Sequence, residues 1–373
     1  MFSEGNSGKA GSKLKGQVVY IYAYDLAYEM QTESIKTLLN QPIEEYSLLQ
    51  NKRIPKYLFF NRPKTVKLPP ESRECFGKTV SIDRSVKIFD VGAVSIQIRV
   101  PFEIDTLDEL VNYHDLKFGN INNEQVAREL AEQAKKELEP HLIKPLQQLS
   151  DDEPYTVFCL DKLPLDGVDK TMLAEDWLMT NRRKIAGILT QEENAANLSE
   201  QEAIESTGLY LSYYDKELVV TDWDATLVIG EKESLDDILH VMELANVQLA
   251  ELEAYDRVLD TALETAYRDL GKFSRRNSEV RKNLREIKID MARLSDELLN
   301  TTKFFGDWHL ANIYENAANR FHLSDWHQTI GEKQKTLSEL YEILQHDSNN
   351  FWMMVLEATI VLLFIIDLVL LFR

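Results

Sequence analysis

The stretch FWMMVLEATIVLLFIIDLVLLF, from Phe351 to Phe372, constrains this chain more than any other feature. Among its 22 residues only Glu357, Ala358, Thr359 and Asp367 are not large and apolar. As a helix rising ~1.5 Å per residue it would reach roughly 33 Å, enough to cross a ~30 Å hydrocarbon core. No other segment of the 373 residues has this character. The expectation is a large water-soluble body, residues 1–349, with one transmembrane anchor in residues 350–373. Carboxylates inside a bilayer cost ~2.5–3.5 kcal/mol near its centre. Glu357 and Asp367 therefore either snorkel toward the ends or face a partner helix or other copies of the chain.

The N-terminal MFSEGNSGKAGSKLKG is polar and has no apolar run, so it is not a secretory signal. The body is then expected to stay on the cytoplasmic side, the span inserting afterwards as a tail anchor. Residues 1–15 read as a disordered tail. With 62 Asp+Glu against 42 Lys+Arg the formal net charge is −20, which repels phosphate backbones and makes broad nucleic-acid binding a poor fit. Two cysteines, Cys75 and Cys159, cannot build a disulfide framework, and no Cys/His spacing suggests zinc. No metal and no cofactor are expected.

Residues 16–230 read as one soluble α+β domain with a mixed or antiparallel sheet. QVVYIYAY alternates around Val19, Ile21 and Ala23. KTVSIDRSVKIF and AVSIQIRV form a hairpin turning at Asp90-Val91-Gly92. In the second arm Val94, Ile96, Ile98 and Val100 point one way, while Ser95, Gln97 and Arg99 point the other, toward solvent. Residues 106–149 read as helical, with Asn123 as the cap of a run that Pro140 stops. YTVFCL returns to strand, DWLMTNRRKIAGILTQE to helix, and residues 209–230 give a second hairpin turning at Asp215-Lys216.

Residues 231–349 change character. Leu235, Leu239, Met242, Ala245, Leu249 and Leu252 keep a four-three spacing, continued by Leu259, Ala262, Ala266 and Leu270. After Gly271 the register is cleaner: Val280, Leu284, Ile287, Met291, Leu294 and Leu298. A sustained a/d seam argues for a long helical hairpin or coiled coil that joins copies or recruits a protein partner. The segment 268–293 carries nine bases against four acids, among them Arg275, Arg276, Arg281, Lys282 and Arg285. It is the one anion-seeking surface, although a solvated helix face is the commoner use of such a run.

Two motifs invite an enzymatic reading. Asp222-x-Asp224-x-Thr226 after an apolar strand has the form of a haloacid-dehalogenase-like phosphatase motif, with a nucleophile and an acid/base two residues apart. That chemistry needs further acids and a lysine on later parallel strands, whereas amphipathic helix follows, so two surface acids at a strand end are favoured. Asp307-Trp308-His309 and Asp325-Trp326-His327 hold metal-capable side chains, but five helical turns separate them by roughly 27 Å. Packing and capping are favoured there.

FFGDWHLANIYENAANRFHLSDWHQTIGEKQKTLSELYEILQH followed by VLEATIVLLFIIDLVLLF resembles the family named for required-for-meiotic-nuclear-division proteins, and KIFDVGAVSIQIRV is similar to its strand-turn-strand segment. The likeness runs loosely from about residue 80 and is specific mainly after 300. It implies a membrane-anchored homo-oligomer that supports translation at a membrane, with no established catalytic residues to transfer. The absence of an Arg-rich presequence points to a bacterial member on the cytoplasmic face of the inner membrane. The resulting expectation is a non-enzymatic, oligomeric membrane scaffold. A membrane-tethered hydrolase using Asp222 and Asp224 is the alternative.

Overall fold

A computed structural model describes residues 13–45, 63–118, 121–146, 149, 152–165, 171–269 and 308–371. They belong to two compact units. One takes in the chain up to Glu251 and the segment ending at Leu323, and the other takes in the rest from Leu252 onward.

The first unit is built on a ten-stranded sheet. Its strands are β1 (Leu14–Asp25), β2 (Glu44–Glu45), β3 (Lys64–Lys67), β4 (Glu71–Cys75), β5 (Lys78–Ile88), β6 (Ala93–Ile104), β7 (Glu153–Leu160), β8 (Tyr210–Leu211), β9 (Leu218–Thr221) and β10 (Ala225–Ile229). They lie in the order β8-β9-β10-β7-β1-β6-β5-β3-β2, with β4 added against β5. All neighbours are antiparallel except β7 and β10, which run parallel. The sheet is therefore mixed. Strand β1 starts at Leu14, inside the stretch expected to lack structure. Residues 1–12 lie outside the described part.

The helices are α1 (Asn123–Leu138), α2 (Ala174–Leu189), α3 (Glu200–Ser206), α4 (Lys232–Asp269), α5 (Trp308–Arg320) and α6 (Leu323–Leu371). Residues 106–149 are not one helical stretch. They hold a 3-10 turn at Leu107–Tyr113, the short pair Lys117–Phe118 with Ile121–Asn122, then α1, then a strand at Leu142–Pro145. The cap of α1 is Asn122 rather than Asn123. Its side chain accepts from the Gln125 amide at 2.8 Å while the Gln125 side chain turns back to the Asn122 amide. Asn123 itself is buried as the first helical residue.

One face of the sheet carries the main core. Val18, Tyr20, Tyr24, Val86, Ile96, Ile98, Phe158, Leu227 and Ile229 pack with Ala127, Ala131 and Leu138 of α1 and with Trp177 and Ile185 of α2. The turn at Asp90-Val91-Gly92 forms where the sequence places it. Gly92 has φ +94°, and a Cβ there would stand 1.9 Å from the Ala27 carbonyl oxygen, so only glycine fits.

The other face is not open to water. Ser95 and Gln97 are 0% and 1% exposed, and Lys87 is 4% exposed. The alternation in AVSIQIRV marks two buried faces, one apolar and one polar, because α4 covers the polar one: Asp236 reaches Arg99 at 2.7 Å and Glu243 pairs with Lys87. Helices on both faces of one sheet make a three-layer α/β/α arrangement, which is why β1 is buried without interruption from Val18 to Tyr24.

In the second unit, α4 continues as an amphipathic helix. Leu252, Leu259 and Ala266 are buried at seven-residue spacing, and Ile330 and Leu337 of α6 are buried at the same interval. Lys333 of α6 bridges Asp256 and Asp260 of α4, at 2.7 Å each. Burial works against the Lys333 charge, but its two aspartate partners outweigh that and raise its pKa. The seam expected at Val280, Leu284, Ile287, Met291, Leu294 and Leu298 lies outside the described residues, as do Leu270 and Gly271.

Candidate functional site

Within α6, Trp352–Leu371 forms a 20-residue helical segment of mean hydropathy 2.7, none of it buried. At ~1.5 Å per residue it measures roughly 30 Å, long and apolar enough to cross a membrane. The Thr359 hydroxyl donates to the Val355 carbonyl at 2.7 Å, so this polar group is satisfied inside the helix. Glu357 and Asp367 lie within the segment and are exposed. Phe351 directly precedes this segment in α6, and Phe372 lies outside the described residues.

The Asp222-x-Asp224-x-Thr226 motif falls in the hairpin turn between β9 and β10. The Asp222 amide donates to the Ala225 carbonyl at 2.9 Å, which closes the turn. Asp222 is buried, not one of two surface acids: Arg320 at the end of α5 pairs with its Oδ1 at 2.9 Å and also donates to the Glu205 carbonyl. Burial raises the Asp222 pKa, and Arg320 opposes that rise. The Tyr155 hydroxyl donates to the Asp222 carbonyl at 2.8 Å and sits 2.8 Å from the Thr226 hydroxyl. These contacts tie the turn to β7 and α5. The strand carrying the motif is antiparallel to β10, and Asp222 spends its charge on Arg320.

The two Asp-Trp-His copies do not meet in one helix. The chain breaks between α5 and α6 at Phe321-His322, with His322 at φ +50°. Trp308 is exposed, His309 stacks beside Tyr213 at 4.8 Å, and Asp325 sits in the first turn of α6, where the helix dipole favours an acid. Among the described residues no group of three His, Cys, Asp or Glu side chains could hold a metal ion. The anion-seeking residues Arg275, Arg276, Arg281, Lys282 and Arg285 lie outside the described part.

Sequence reasoning missed the polar layer under α4. The pairing registers stack its side chains in rungs across one sheet face: Thr65 beside Lys87 beside Ser95, then Lys67 beside Ser85 beside Gln97, then Asp83 beside Arg99. From above, α4 lowers Asp237, His240, Glu243 and Asn246 at three-residue spacing, all buried. Lys87 pairs with Glu243, the Asn246 amide donates to the Glu153 carbonyl at 2.8 Å, and the Tyr314 hydroxyl of α5 donates to Gln248. Burial, helped by nearby Lys87, pushes the His240 pKa well below the usual 6.5. The signal was in the sequence: polar residues every third position in the middle of an apolar helix, and a polar strand face of matching length.

The layer and the apolar helix define a class, a mixed-sheet α/β protein followed by helices, the last of them apolar along 20 residues near its C-terminal end. More particularly, the chain belongs to the family described as "Uncharacterized protein MJ0711, N-terminal domain", which matches residues 15–236. It is similar to the protein of that description from the archaeon Methanocaldococcus jannaschii, 25% identical over 164 residues, or 43% of this chain and 50% of the relative. The chain thus matches about half the length of that relative. No solved structure matches.

Proposed function

We propose that the chain is a single-span membrane protein whose α/β body is held at the bilayer by Trp352–Leu371 and acts as a homo-oligomeric scaffold or tether. The observation that carries this reading is the wholly exposed apolar helix. Twenty residues of mean hydropathy 2.7 left in water would oppose solubility strongly, and lipid is the environment that accommodates them. Glu357 and Asp367 support the oligomeric part. Ten residues apart, at ~100° per residue, they fall about 80° apart around the helix, so one interface can take both. Pairing there relieves the cost of each acid in lipid. The body faces the cytoplasm in this reading, and its partner is a complex working at the membrane, of the kind the resemblance to translation-supporting membrane proteins implies.

The test is the mass of the full chain in detergent, by size exclusion with light scattering. A multimer is expected, converting toward monomer when Glu357 and Asp367 are both changed to Leu. A wild-type monomer across the accessible concentration range contradicts the scaffold.

A further inference from the structure

Beside the polar layer opens a cavity of about 600 Å³, within the size range of small-molecule sites. Its floor is the covered face of β3, β5 and β6, where Thr65, Lys87 and Gln97 line it. Thr65 is 7% and Gln97 1% exposed, yet the Thr65 hydroxyl and the Gln97 side-chain nitrogen have no hydrogen-bond partner among the described residues. Native structures rarely leave such groups unsatisfied, because each costs roughly 1–3 kcal/mol. The Gln97 oxygen accepts from Arg99 at 3.1 Å, which fixes its amide with the nitrogen as the open end. Two open buried donors therefore reach the cavity, a hydroxyl and an amide N–H, beside the Lys87 ammonium, which already pairs with Glu243.

The rim has the opposite character. Glu44, Glu45, Asp83 and Asp236 line it and are exposed. Lys67 is matched by Glu44 at 3.2 Å and Arg99 by Asp236 at 2.7 Å, while Arg84 at 2.9 Å shares Glu71 with Arg73. Glu45 and Asp83 have no charged partner among the described residues. After the pairings among the described residues, the Thr65 hydroxyl and the Gln97 N–H remain open on the floor, and Glu45 and Asp83 remain without a cation on the rim.

We propose that this cavity binds a small zwitterion, its oxyanion inward on Thr65 and Gln97 and its ammonium outward toward Glu45 and Asp83. A floor of donors requires acceptors, and an oxyanion supplies several within one small group. The acidic rim disfavours a purely anionic ligand and attracts a cationic end. This chemistry is shared by free amino acids and by the phosphate–ammonium headgroup of a phospholipid. The inference stands on the first unit alone and does not depend on the membrane reading.

The experiment is isothermal titration of the full chain in detergent with four probes: glycine, O-phosphoethanolamine, inorganic phosphate and ethanolamine. At least one zwitterion binds ten times more tightly than inorganic phosphate or ethanolamine. Preference for glycine assigns the site to free amino acids, and preference for O-phosphoethanolamine assigns it to headgroups. Gln97→Glu keeps an oxygen for Arg99 but replaces the open donor with a carboxylate, and weakens the zwitterion at least tenfold. Thr65→Val, nearly isosteric, serves as the second variant should Gln97→Glu disturb folding, and weakens it several-fold. Asp83→Asn with Glu45→Gln weakens the zwitterion while leaving inorganic phosphate unchanged or tightening it. Binding of neither zwitterion, equal binding of inorganic phosphate, or affinity indifferent to the floor variants overturns the assignment.

Discussion

Lys87 and Glu243 show how a single pair can decide whether α4 stays seated. Both side chains are almost wholly buried, 4% and 0% exposed, and each neutralises the other's charge. Removing one partner strands the other, so Lys87→Met should cost about 3–5 kcal/mol of unfolding free energy in urea denaturation. The double variant Lys87→Met, Glu243→Leu removes both charges and should recover most of that loss. His240 sets a pH dependence in the same layer. Its folded pKa lies below the unfolded value near 6.5, so the unfolded chain takes up the proton first. Stability is then full above pH 6.5 and falls on acidification below it, toward the depressed folded pKa. His240→Gln should flatten the midpoint of denaturation between pH 7 and 5.5. A dependence unchanged in that variant would place its origin elsewhere, His114 and His327 being half-buried histidines whose pKa burial also lowers.

At the scale of elements, local turn chemistry was legible and the covering of faces was not. Gly92 sits where a positive φ and contact with the Ala27 carbonyl both exclude a side chain, and the Asp-Val-Gly signal names that turn directly. Gly92→Ala should cost about 2–3 kcal/mol in thermal or urea unfolding, more than Gly77→Ala, where φ is also positive but a Cβ meets nothing within 4 Å. Strands β6 and β7 and helix α2 could likewise be read from periodicity and composition. The error lay in taking Ser95, Gln97 and Arg99 for a solvent face. A period of two says which residues share a side but not what covers that side, and α4, more than a hundred residues later, supplies the cover. The same limit applies to α4. Its four-three spacing was read as a seam, yet from Asp237 to Leu252 the helix is buried on every side. Asp222 failed for a related reason: its charge partner, Arg320, arrives from a distant helix that no local motif announces. In α6, Leu362→Arg together with Ile366→Arg adds ~2.5–3.5 kcal/mol of insertion cost per charge. The pair should move a large fraction of the chain out of membrane pellets, whereas Trp352→Phe should not.

The whole molecule joins a polar-layered α/β body to a helix too apolar for water. The body is similar to an archaeal relative of unassigned role, and its proposed binding activity lies in the cavity over β3, β5 and β6. Anchoring is the claim on which the scaffold depends, since an oligomer without a membrane would leave Trp352–Leu371 unexplained. Its most direct test is alkaline carbonate extraction of membranes from cells expressing the full chain, followed by ultracentrifugation with and without detergent. The account predicts that the chain stays in the carbonate-washed pellet and is released only by detergent. Recovery of the intact chain in the detergent-free supernatant would contradict it.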